Sequence, residues 1–128
     1  MPDRRQDRDP ALTAGGEPRL VDAIRAARVR TQLQVDALTA AVRSIVEASE
    51  LTSADDEHDP EGATIAYERA QATALLDLAR ADLVRLDRAA QEVETTATVS
   101  CVVCGSEIGV ERIEALPTAD RCIRCAGR

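Results

Sequence analysis

Cys101, Cys104, Cys122 and Cys125 are the only cysteines of the chain, and they form two CxxC pairs separated by seventeen residues. A CxxC turn lets two thiolates converge on one ion, and two such turns complete the tetrahedral four-sulfur shell that suits zinc. Four thiolates leave no open coordination position, so the single zinc expected here is structural rather than catalytic. The competing chemistry is redox exchange or a disulfide, but no βαβ pattern surrounds either pair as a thioredoxin-like site would need. A second concentration of reactive groups lies at residues 53–61, where Asp55, Asp56, Glu57, Asp59 and Glu61 stand together without an Arg. Helix capping accounts for Asp59 and Glu61, and leaves the other three without a structural reason. His58, the only histidine, sits among these acids and reads as a solvated loop residue. There is no Ser/His/Asp set and no phosphate-cradling glycine loop, so an enzyme is not expected.

These groups need elements to hold them apart and in place. The chain has 128 residues, no Phe, no Trp and one Tyr, Tyr67. Aromatic side chains dominate many cores, so a thick globular core is not expected. Ala, Leu, Val and Arg are abundant, which suits long helices packed through a narrow seam. All sixteen basic residues are Arg. The net charge of -7 is uneven, because the nine residues 53–61 alone contribute -5. Residues 99–128 balance four acids against four Arg, with no aromatic to stack on a base. That is no footprint for sequence-specific DNA binding. The first ten residues lack the apolar run of a signal peptide, and no stretch reaches transmembrane length. The reading is therefore cytoplasmic, where thiols stay reduced and metal binding is favoured.

Residues 1–16 are charged and aperiodic and read as a flexible arm. From Glu17 the pattern turns helical. Val21, Ile24, Arg28, Thr31, Val35, Leu38, Val42 and Ile45 alternate steps of three and four. A second stripe runs through Ile65, Ala72, Leu76, Ala79, Leu83, Leu86, Ala90 and Val93. Two heptad helices joined by a short polar connector predict an antiparallel coiled-coil hairpin over 17–97, with an acidic tip at 53–64. Each arm of about 30 residues would be roughly 45 Å long. Asp59, Pro60 and Glu61 read as N-cap, N1 and N2 of the second helix. The mostly β-branched run Thr95, Thr96, Ala97, Thr98 ends it. A small four-cysteine finger follows over 98–128. It is too short to fold on its own burial and draws on zinc binding, worth about 10–16 kcal/mol in finger peptides. Gly105 suits the tight turn after Cys104. Ile108, Val110, Ile113 and Leu116 offer a small apolar cap, and residues 111–115 a short helix stopped before Pro117.

The finger sequence carries a CG-x-x-I element at Cys104, Gly105 and Ile108. An R-I-E-A-x-P element follows at Arg112, Ile113, Glu114, Ala115 and Pro117, and the closing C-x-x-C is Cys122 and Cys125. In order and spacing these resemble the zinc finger of the DksA/TraR family. Upstream, the hairpin tip at Asp59, Pro60, Glu61, Gly62, Ala63 and Thr64 is similar to that family's tip. The resemblance covers residues 20–126. It implies a bacterial transcription factor that binds RNA polymerase directly and inserts its hairpin into the secondary channel. The carboxylates at the tip would then lie near the catalytic magnesium, which makes Asp59, Glu61, Ala63 and Thr64 the polymerase-directed residues. Some members act with the alarmone ppGpp. The sequence departs from the pattern in three places. Aligned on Ala63 and Thr64, the tip is one residue shorter than the D-x-x-D-x-A form. Leu116 and Ala126 stand where ppGpp-responsive relatives carry cations, so an anionic alarmone loses two partners. The helix that follows the finger in longer members has no counterpart here. The expected state is a monomer. The alternative is a zinc-stapled helical scaffold for another protein, with the tip idle.

Overall fold

The computed structural model describes residues 10–51 and 60–127, with side chains from Gly16 to Leu51 and from Glu61 onward. Three helices make up its regular structure: α1 (Pro10–Leu51), α2 (Pro60–Thr96) and α3 (Val110–Ala115). The only pairing outside helices among the described residues is an antiparallel bridge between Ser100 and Glu107. The chain is mostly helical, two long helices followed by the cysteine-bearing segment.

Compactness groups the chain differently from a division by element. One unit joins the residues up to Arg28 with those from Arg85 onward, and the other is Val29–Val84. The first unit holds the finger and the roots of both long helices. Its core is one cluster of Leu20 and Ile24 from α1, Ala89 and Val93 from α2, and Val99, Cys101, Ile108, Ile113, Ala119 and Cys122 from the finger. An Arg28–Asp87 ion pair at 2.7 Å joins α1 to α2 beside it. The second unit holds the rest of the arms. Leu76 and Ala79 are buried there, and Thr31, Val35, Leu38, Val42, Ile45, Ile65, Ala72 and Leu83 are half-buried. These are the two heptad stripes. A seam so narrow leaves Leu33, Tyr67 and Leu78 exposed on the outer faces.

α1 starts at Pro10, upstream of the expected start at Glu17. Pro10 occupies the first helical position, where a missing N–H costs nothing. Pro18 then lies inside the helix rather than in its first turn. Gly16 is buried rather than part of an exposed arm, and a Cβ there would lie 3.1 Å from Val110 Cγ2. The small residue thus lets α1 approach α3 closely. Residues 1–9 of the expected arm lie outside the described residues, as do Asp55, Asp56, Glu57, His58 and Asp59.

α2 stops where the Thr-rich run begins to oppose it. The Thr95 and Thr96 hydroxyls bond back to the Gln91 and Glu92 carbonyls at 2.9 Å. Ala97 then takes φ 60° while its N–H bonds the Val93 carbonyl at 2.9 Å. This left-handed stop normally falls to glycine, because Cβ crowds the following carbonyl. Ala97→Gly is therefore expected to raise unfolding stability by roughly 0.5–1 kcal/mol, net of the glycine's greater unfolded-state freedom. Denaturant titration of the zinc-loaded protein checks it, an unchanged or lower midpoint being the contrary result.

Candidate metal centre

Two knuckles build the site. The first is an irregular hairpin over 99–108. Cys101 N–H bonds Ser106 O at 2.8 Å and Ile108 N–H bonds Val99 O at 2.7 Å. Gly105 N–H closes the turn onto Cys101 O at 2.9 Å, and Gly105 takes φ 73°, the conformation its position after Cys104 demanded. The second knuckle is tied by Cys125 and Ala126 N–H bonds to the Cys122 carbonyl. Val102 N–H bonds Asp120 O at 2.9 Å and so fastens one knuckle to the other.

This scaffold brings all four predicted ligands together, with their sulfurs within 4.8 Å of one another. The Cys104 and Cys122 sulfurs are 3.7 Å apart. A tetrahedron of Zn–S bonds of about 2.3 Å has edges of about 3.8 Å, whereas a disulfide needs about 2.05 Å. All four cysteines are free. The donor set and spacing fit one structural zinc.

The electrostatics prepare part of the shell. Amide N–H groups of Cys104 and Cys122 point at the Cys101 sulfur and pull its pKa down to about 6. Cys104 is lowered by the Ser106 hydroxyl and amide, and Arg124 in turn donates to that hydroxyl at 3.3 Å. Cys125 moves the other way, to about 12, because it holds its proton against Cys122 and is desolvated. Four thiolates this close repel, so without a cation one of them keeps a proton.

The finger's other signature residues serve its fold. α3 spans Val110–Ala115 and caps at Leu116, one residue longer than expected at its start. Ile108 and Ile113 are fully buried, Val110 is half-buried and Leu116 is 48% exposed, so the apolar cap is made by the first three. Arg112 Nε donates to Arg121 O at 2.9 Å. Arg19 Nε and Nη2 grip both Glu114 oxygens at 2.6 and 2.7 Å. That hydrogen-bonded pair raises Arg19 and holds Glu114 below the usual carboxylate range. Arg112 and Glu114 therefore engage partners inside the fold, and neither is a purely solvated face. The partners Arg19, Ser106 and Arg124 had no signal in the sequence, since each contact joins segments that only the fold brings together.

Of the tip residues, Glu61, Ala63 and Thr64 lie exposed in the first turns of α2, and Asp59 lies outside the described residues. No described helix is long and apolar enough to cross a membrane.

A mostly helical chain ending in a four-cysteine finger defines a zinc-stapled helical protein. Residues 95–128 match the family described as prokaryotic dksA/traR C4-type zinc finger. The finger is thus of the DksA/TraR type over those residues. Over 49 residues it is 41% identical to the RNA polymerase-binding transcription factor DksA of Escherichia coli K12 and 39% identical to that of Haemophilus influenzae. These matches cover 38% of this chain and only 32% and 34% of those proteins. In fold, the chain is similar to transcription factor DksA2 from Pseudomonas aeruginosa, with a TM-score of 0.70 and 24% identity. That match covers 95% of this chain and 89% of the other.

Proposed function

We propose that this protein is a non-enzymatic, cytoplasmic transcription regulator that binds RNA polymerase as a monomer. The observation that carries the reading is the finger, whose type matches the dksA/traR family, beside a 49-residue stretch 41% identical to proteins named for polymerase binding. The fold likeness extends this support along the hairpin. The hairpin would enter the secondary channel and present Asp59, Glu61, Ala63 and Thr64 near the catalytic magnesium. Carboxylates concentrated at 53–61 favour approach to a region holding bound cations. Zinc acts as a fastener at the base and takes no part in chemistry. A contribution from ppGpp is not favoured, because Leu116 and Ala126 supply no cation.

Transcription in vitro with the cognate polymerase tests the reading. Wild type should alter transcript yield at some promoters, and an Asp59→Asn, Glu61→Gln variant should lose most of that effect while still binding. Equal behaviour of the two proteins on several promoters would end the tip mechanism.

One observation favours a second reading, a scaffold for another protein. A groove of about 540 Å³ lies between α3 and the second knuckle, with Leu116 and Ile123 exposed along it. Pull-down from lysate separates the readings, since a scaffold of this kind would recover partners other than polymerase subunits.

A further inference from the structure

Ser100 precedes the first zinc ligand, and its backbone faces away from the knuckle hairpin. In the Ser100–Glu107 bridge the paired hydrogen bonds belong to the neighbours, Cys101 to Ser106 and Ile108 to Val99. An antiparallel pair of this wide type leaves the N–H and C=O of the central residue pointing outward, where a third strand would normally take them. No strand lies there; α2 does. Glu92 Oε1 accepts the Ser100 N–H at 2.8 Å, and Arg88 Nη2 donates to the Ser100 carbonyl at 3.0 Å. The two side chains are one helical turn apart and 3.5 Å from each other through Glu92 Oε2. Glu92 is largely buried, with 19% of its side chain exposed. One charged pair on α2 thus satisfies both polar groups of the residue next to Cys101.

We propose that Arg88 and Glu92 are positioning residues of the zinc centre, acting through Ser100 as a surrogate third strand that holds the ligand hairpin. Cys101 and Cys104 both belong to that hairpin. Fixing its entry residue fixes where two of the four sulfurs converge in the folded, zinc-binding base. Contacts of this kind favour the folded arrangement that zinc selects, and groups that orient ligands commonly change metal affinity by about 10–100-fold when removed.

The test is competition between the protein and a colorimetric zinc chelator, with wild type, Glu92→Ala, Arg88→Ala and Glu92→Gln compared. Both alanine variants should bind zinc about tenfold more weakly. Glu92→Gln keeps an oxygen that accepts the Ser100 N–H and should recover most of the affinity. Thermal melts of the metal-free and zinc-loaded forms separate positioning from general destabilisation. A positioning role narrows the gap between the two melting temperatures in the alanine variants; a purely structural role lowers both equally. In wild type, the Ser100 amide should exchange slowly with solvent deuterium once zinc is bound. Unchanged zinc affinity in both alanine variants, a glutamine variant as weak as the alanine one, equal lowering of both melts, or fast Ser100 exchange would each overturn the proposal.

Discussion

Stripping zinc from the protein is expected to dismantle more than the finger. Were the finger a separate body, chelation would melt it alone and leave the hairpin's helicity intact. The core argues otherwise. Cys101 and Cys122 belong to the same buried cluster as Leu20, Ile24, Ala89 and Val93, so the metal shell and the roots of both helices share one core. That core contains no aromatic residue and is filled partly by alanine. It has little burial with which to survive the loss of four metal bonds. A chelator in excess should therefore unfold the helix roots up to Arg28 and from Arg85 together with α3. Up to roughly two fifths of the helical circular dichroism would go with them. Residues 29–84 draw their burial from their own seam and should keep much of their helix. A spectrum that loses only the small contribution of α3 would contradict this.

Acid should act in the same direction. Zinc requires four thiolates. In the folded base Cys125 is raised to about 12 and Cys101 lowered to about 6, but once loss of metal unfolds the base, free thiols near the ordinary value of about 8.5 hold their protons at neutral pH. Zinc binding near neutrality therefore expels more than one proton, and apparent affinity falls by at least about tenfold per unit of acidification. The sign is fixed: stability conferred by zinc is present at neutral pH and lost as pH drops. Calorimetry in two buffers of different ionisation heat counts the protons released.

The heptad stripes were legible because a two-helix seam imposes a single period, and every residue of the second stripe is buried or half-buried. Four cysteines in two CxxC pairs outside any βαβ pattern likewise point to a shared ion, which their spacing alone conveys. The buried state of Leu20 and Gly16 was not legible. These residues leave the seam of α1 because a third body, the finger, packs there, and a periodicity set by two helices carries no trace of it. For the same reason nothing in the sequence pairs Arg19 with Glu114, 95 residues away, as the fold does. Nothing in the sequence around Glu92 marks its carboxylate as the acceptor of the Ser100 N–H.

Among single side-chain truncations, Ile113→Ala should be one of the most damaging. Ile113 is 0% exposed and lies in the cluster shared by α1, α2 and the finger. Its removal would leave a void between elements already pinned by metal and by the Arg19–Glu114 pair, so the walls have little freedom to collapse into it. The cost should be about 3 kcal/mol, in the middle of the range for buried Ile→Ala changes. Ile123 supplies the control. It has the same side chain in the same finger, yet it is 79% exposed, and its change to alanine should stay within about 0.5 kcal/mol. Because folding of the base and zinc binding are one equilibrium, Ile113→Ala should also release zinc to a chelator more readily than wild type, and Ile123→Ala should not. Denaturant midpoints of the zinc-loaded proteins decide the matter. Equal midpoints for the two variants would mean that the base owes its stability to the metal alone and that the apolar cluster around Ile113 adds little.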